Sequence, residues 1–245
     1  MPESTSTTTH GTPGHGAVSD WASEVAGPAA PAVAPAQPAD RGFLVALGAA
    51  MVASPLAMAG WFAVEPSVLP REDPQVFLES VATSPDRYLA GTALLALAAV
   101  LAIPAAVGFA RLLRPRLPRL GVVIAVLMFL SGVGLCAQVG FRAMVWSMVD
   151  AGSVPASSVE TYTAFQTGGF FDVLVAPGLV FGGVATLLVV GSLLWTRLVS
   201  RWVPVAMIVG MVLSSGEFAD AVTVSGAALG VLANLWLART LVARG

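Results

Sequence analysis

The sequence predicts an all-α protein: a polytopic membrane helix bundle of six transmembrane helices with both termini cytoplasmic. Three observations predict it. Of 245 residues, 56% are hydrophobic and only 11% charged, against about 25% charged in an ordinary soluble domain, and the mean hydropathy is +0.83. Five apolar blocks follow a polar beginning, the last long enough for two passes at roughly 20 residues per pass. Arginines gather in alternate connections, as the positive-inside rule requires of a multi-pass chain.

Residues 1–41 are rich in Ser, Thr, Pro, Ala and Gly and carry no apolar period, so they read as a disordered cytoplasmic tail. They lack the basic start and early apolar core of a secretory signal peptide. The first apolar helix is therefore expected to be retained and to act as the insertion signal. The membrane domain occupies residues 42–245, with helices at about 43–64, 86–112, 119–148, 171–195, 202–216 and 220–239. The second has a clear start, Ser84 as N-cap and Pro85 in the first helical position.

Two short helices are expected in the outer loops, near 73–83 and 158–167. In "EDPQVFLESVAT" Asp73 is the N-cap, Pro74 opens the helix, and Val76, Phe77 and Val81 share a side. In "SVPASSVETYTAFQTGGF" Ser157 or Ser158 is the expected cap, with Gly168 and Gly169 as the stop. Prolines 55, 104 and 177 fall inside the first, second and fourth membrane helices, where each removes a hydrogen bond and favours a kink.

Orientation follows from arginine. Arg111, Arg114, Arg116 and Arg119 lie in the connection after the second helix, Arg197 and Arg201 after the fourth, Arg41 before the first, and Arg239 and Arg244 at the end. Six passes put all nine on one side. The opposite loops hold Arg71 and Arg87 among many acids, including Glu65, Glu72, Asp73, Glu79, Asp86, Asp150 and Glu160. The protein is accordingly placed in the cell membrane.

The apolar run from Trp202 to Ala238 contains Glu217 and Asp220. As a single helix it would be about 55 Å long against a hydrocarbon core of about 30 Å. Two passes joined by an outer hairpin at "GEFAD" fit better. Only about 15 residues precede Glu217, roughly 22 Å of helix, so the turn is short of the headgroups on a full-thickness bilayer.

Several chemistries are excluded. Both histidines, His10 and His15, lie in the polar tail, and the one cysteine, Cys136, is in an apolar segment, so neither intramembrane haem nor a zinc site has its usual ligands. No cofactor or metal is expected. A thiol in an apolar setting is a poor nucleophile, and no nucleophile elbow, phosphate loop or dinucleotide fingerprint occurs. The formal charge of −2 offers no field for nucleic acid.

What remains is a polar constellation. A charge inside hydrocarbon costs several kcal/mol and seeks a partner or a wet cavity. Arg142 lies inside the outer end of the third membrane helix, with Gln138 and Ser131 on its face and Gly134 beside it. Asp172 opens the fourth membrane helix, and Glu217 and Asp220 flank the last hairpin. Arg142, Gln138, Asp172, Glu217 and Asp220 therefore form a candidate polar cluster in the outer leaflet. Asp220, Thr223, Ala227, Gly230 and Asn234 form a stripe along the last helix. "GLVFG" and "GAALG", Gly178 to Gly182 and Gly226 to Gly230, carry the small-residue spacing that brings membrane helices close.

The stretch "PREDPQVFLESVATSPDRYLAGTALLALAAVLAIPAAVGFARLLR" resembles a set of uncharacterised bacterial multi-pass membrane proteins common in high-GC Gram-positive bacteria. There an outer D-P-x-x-F/L-L-x-x-V-A-like segment precedes an apolar helix ending P-A-x-x-G-x-x-R-L-L, here Pro104, Ala105, Gly108, Arg111, Leu112 and Leu113. Many members carry a His near the start of the second helix, where this chain has Gly91. The resemblance implies a compact module of six to seven helices and supplies no catalytic residues.

The preferred function is therefore a non-enzymatic structural or accessory membrane module. Its partners are the lipid bilayer and either another membrane protein or a second copy of the chain. The alternative is a small transporter or ligand-binding protein that uses the polar cluster. A membrane enzyme acting on lipid through Glu217 and Asp220 is a third reading.

Overall fold

The computed structural model describes residues 40–64, 73–149, 153–169, 171–215 and 220–244. Among them are eight α-helices and no strand. We number these α1 (Arg41–Val64), α2 (Pro74–Thr83), α3 (Pro85–Leu113), α4 (Pro118–Ser147), α5 (Ala156–Thr167), α6 (Ala176–Thr196), α7 (Trp202–Ser215) and α8 (Asp220–Arg244). Five of them, α1, α3, α4, α6 and α8, are long and apolar enough to cross a membrane by length and composition. Helix α7 has 14 residues, about 21 Å, and falls short of that length.

Proline sets the starts. Helices α2, α3 and α4 each carry Pro at the beginning of the first turn, where its missing N–H costs nothing and its fixed φ suits the helix. At α2 the Asp73 carboxylate also accepts the Gln75 N–H at 2.8 Å. Ser84 is the N-cap of α3 by position, but its hydroxyl makes no capping bond. Its backbone does two jobs instead: the N–H donates to Val81 O at 3.2 Å and the C=O accepts from Tyr88 N at 3.1 Å. One residue thus ends α2 and begins α3, and the corner between them is sharp.

Three local expectations need correction. Helix α5 starts at Ala156 behind Pro155, and neither Ser157 nor Ser158 caps it; the Ser158 hydroxyl instead donates to Met148 O at 2.6 Å, fastening α5 to the end of α4. Pro177 stands in the first turn of α6 and not in its interior. Residues Phe171–Val175 are wound as a π-helix and the α-form begins at Ala176. A wider turn suits that position because Pro177 cannot donate to Val173 O and its ring would crowd that carbonyl in an α-helix. Helix α8 continues to Arg244, five residues beyond the expected end at 239, because no Gly or Pro occurs in residues 239–244 and Leu241 is still buried in the core.

The six apolar helices alternate in direction. Gly108 of α3 meets Met51 of α1 and Gly60 of α1 meets Leu94 of α3; Gly132 of α4 lies on Ala99 and Ala102 of α3. Around the bundle α1 lies between α3 and α8, α3 touches α4, α4 touches α6, and α7 packs along α8. Both small-residue motifs are used for close approach. A Cβ on Gly178 would stand 2.5 Å from the Gly134 Cα, and one on Gly182 would stand 2.6 Å from the Ser131 Oγ, so α4 and α6 touch nearly backbone to backbone. Gly210 of α7 meets Gly226 and Gly230 of α8 in the same way. Without a hydrophobic drive between helices in lipid, such approach is what gives them packing energy.

The buried side chains form two clusters. One, built on Leu47, Met51, Phe109, Leu113, Ile124, Leu193, Val203 and Leu237 among others, fills the end of the bundle where the arginine-bearing connections lie. The second joins Phe77 and Val81 of α2, Tyr88 of α3, Val145 of α4 and Tyr162 of α5 at the acid-rich end. There α2 and α5 form a helical cap, held by the Phe77–Tyr162 stack with ring centroids 5.5 Å apart.

Candidate functional site

Arg142 is the charged residue that the fold treats most unusually, with only 4% of its surface exposed. It lies on the buried face of α4, toward α3. Its Nε donates to Thr92 Oγ1 at 3.0 Å, and the Thr92 hydroxyl donates in turn to Tyr88 O at 2.9 Å. Tyr88 and Thr92 are four residues apart and share one face of α3. The Tyr88 ring covers the guanidinium carbon at 4.1 Å, and the Trp61 ring of α1 stands 5.8 Å away. Charge on an aromatic face contributes about 2 kcal/mol when both are desolvated.

Above Arg142 the aromatic packing continues into the cap. Phe77 meets Tyr88 edge-on at 6.3 Å and stacks on Tyr162; Phe141, one residue before Arg142, stacks on Phe165 at 4.8 Å and lies 5.7 Å from Tyr162. Burial pushes the Tyr162 hydroxyl up to about 12, while Gln166 and the positive charge of Arg142 pull the other way. Arg142 thus joins three elements by contact: α1 through Trp61, α3 through Tyr88 and Thr92, and its own α4.

The sequence places Arg142 in one cluster with Gln138, Asp172, Glu217 and Asp220. Asp172 is exposed on the π turn, whereas Arg142 is buried. Gln138 is half-buried one turn before Arg142. Of Asp220 the backbone is described, as the first residue of α8, and Glu217 lies outside the described residues. The residues that do surround Arg142, namely Trp61, Tyr88 and Thr92, are absent from the sequence-based cluster. Their signal was the i, i+4 pair Tyr88 and Thr92, which brackets the same depth from the N-terminus of α3 as Arg142 has from the C-terminus of α4.

Among the described residues no group of three or more His, Cys, Asp or Glu is placed to hold a metal ion. Cys136 is exposed on α4. Two concavities at this end lie at the rim of the cap, one between Pro85, Asp86 and Leu89 of α3 and Trp146 and Ser147 of α4. Arg142 lines neither that one nor the one beside it at Glu79, Thr83 and Val154.

The family model of DUF4386, a domain of unknown function, matches residues 46–245. The chain belongs to the DUF4386 family. The match runs from the second turn of α1 to the end of α8, so this DUF4386 domain includes the six apolar helices and both helices of the cap. Comparison with the curated proteins and with the solved structures yields no match. The DUF4386 assignment agrees with the resemblance carried by residues 70–114 and brings no activity with it.

Proposed function

We propose that the chain is a non-catalytic integral membrane module, a structural or accessory subunit. In this reading it crosses the bilayer six times with both termini in the cytoplasm, and Arg142 is the key that locks its outer helical cap onto the bundle. The supporting observation is the enclosure of Arg142 by Tyr88, Thr92 and Trp61: a guanidinium wrapped in π faces is held by the fold and is not presented to a solute. The nine arginines at one end of the bundle support the orientation. The short α7, 14 residues long, fits a crossing at which the bilayer thins locally around it.

The test is accessibility beside Arg142. In a Cys136→Ala background, Thr92→Cys, Asp172→Cys and Glu217→Cys are labelled singly in intact cells with an impermeant thiol reagent. The expected result is rapid labelling at 172 and 217 and none at 92. Labelling at 92 that is slowed by an added solute would overturn the structural reading in favour of a small transporter or ligand-binding protein with a wet outer cavity. Labelling at 172 from the cytoplasmic side alone would overturn the orientation.

A further inference from the structure

At the other end of the bundle, arginines converge on the short connection between α6 and α7. Arg116, from the α3–α4 connection, donates through Nη1 to Thr196 O. Arg244, from the last turn of α8, donates through Nη2 to Leu198 O at 2.8 Å. Between these two clamped carbonyls stands Arg197, exposed and in the left-handed conformation with φ 49°. Arg201 is exposed four residues on. No Asp or Glu occurs in residues 111–119, 195–202 or 236–244.

Like charges drawn together repel one another, no Asp or Glu among the described residues of these connections offsets them, and the fold gains nothing from Arg197 that glycine, free of the Cβ clash in this conformation, would not supply. An anion resolves both points. The carbonyls ending α6 carry negative partial charge that would repel one, but Arg116 and Arg244 cover two carbonyls there. Trp195, the residue before this clamp, is 88% exposed. An indole with an apolar body and a polar N–H is suited to the headgroup level of a bilayer. Arginine in turn matches a phosphate with paired, charge-assisted hydrogen bonds.

We infer that the 195–201 connection seats the phosphate of an anionic phospholipid from the adjoining leaflet, with Arg197 as its main ligand, Arg116, Arg201 and Arg244 as the surrounding field, and Trp195 against the glycerol and upper acyl chain. Basic pockets between membrane helices recognise lipid headgroups by this chemistry. The inference requires the bundle to sit in a bilayer and is independent of any role for Arg142.

The test uses the full chain in phosphatidylcholine vesicles containing a minor fraction of brominated phosphatidylglycerol or brominated phosphatidylcholine. The emission difference between the wild type and Trp195→Phe isolates Trp195, and bromine quenches it on contact. Trp195 is expected to be quenched several-fold more by the anionic lipid. Arg197→Gly should lower that preference about fivefold, with a thermal unfolding midpoint equal to or above that of the wild type. Arg197→Gln, which keeps a side chain at the position, should lose the preference equally, so a failure of the glycine variant to fold would not shelter the inference. Equal quenching by the two lipids would overturn it, as would wild-type preference in both variants. Loss of the preference on adding soluble glycerol phosphate would also overturn it, marking a site for free phosphate instead.

Discussion

Alanine at Gly178 tests the backbone contact between α4 and α6 on which the acid-rich half of the bundle depends. Its Cβ would stand 2.5 Å from the Gly134 Cα, whereas carbon atoms rest at about 3.5–4.0 Å. Neither partner is a flexible side chain, so the helices must part by about 1 Å. Forcing an extra methyl into a packed contact costs about 1–3 kcal/mol, against a gain of up to about 1 kcal/mol from replacing glycine in a helix. The net expectation is a loss of about 1–2 kcal/mol. At Gly183, five residues on, an added methyl would meet nothing within 4 Å, so Gly183→Ala should be neutral or gain up to about 1 kcal/mol. The assay is reversible unfolding of the purified chain in mixed micelles, followed by circular dichroism. Equal stability of the Gly178 and Gly183 variants would refute the close approach.

Two further predictions concern the cap. Ser158→Ala removes the bond to Met148 O and should destabilise the cap by about 1 kcal/mol, while Ser157→Ala, at an exposed position, should stay within about 0.5 kcal/mol; hydrogen exchange over residues 156–167 distinguishes them. The Tyr162 hydroxyl, pushed up to about 12 by burial, titrates near 10 in the unfolded chain. Its folded value is the higher one, so its contribution is complete below pH 10 and is lost as pH rises from about 10 to about 12. That loss amounts to roughly 2–3 kcal/mol, and unfolding midpoints measured across this window should fall less steeply in Tyr162→Phe.

Much of the fold was legible in the sequence because its signals are local. Pro74 and Pro85 mark helix starts whatever packs around them, Gly168 and Gly169 mark a stop, and hydropathy finds long apolar helices without reference to a partner. "GLVFG" and "GAALG" were legible as places of close approach, but spacing within one helix cannot say that Gly178 meets Gly134 or that Gly226 meets Gly210. The same limit governs Arg142. Its burial followed from its position on α4, and the bundle interior was the right direction. Its neighbours depend on the rotation of α3 and α1, which brings Tyr88, Thr92 and Trp61 to it; periodicity along α4 carries no information about that rotation. Complementary charge favoured acids as partners, and an aromatic face serves a guanidinium as well. Ser158 escaped for a related reason: its bond goes to Met148, across a connection and not to its own helix.

In the proposed structural role, Arg142 stabilises the join between cap and bundle through its contact with Tyr88 of α3, on which Phe77 of the cap rests. A double-mutant cycle of Arg142→Met and Tyr88→Leu measures it most directly, both substitutions keeping an apolar side chain of useful volume in the site. Unfolding free energies of the four proteins in mixed micelles should give a favourable coupling of about 1–2 kcal/mol, the worth of a desolvated cation on an aromatic face. A coupling near zero, with Arg142→Met as stable as the wild type, would rule out that role and favour a ligand-binding role for the buried guanidinium.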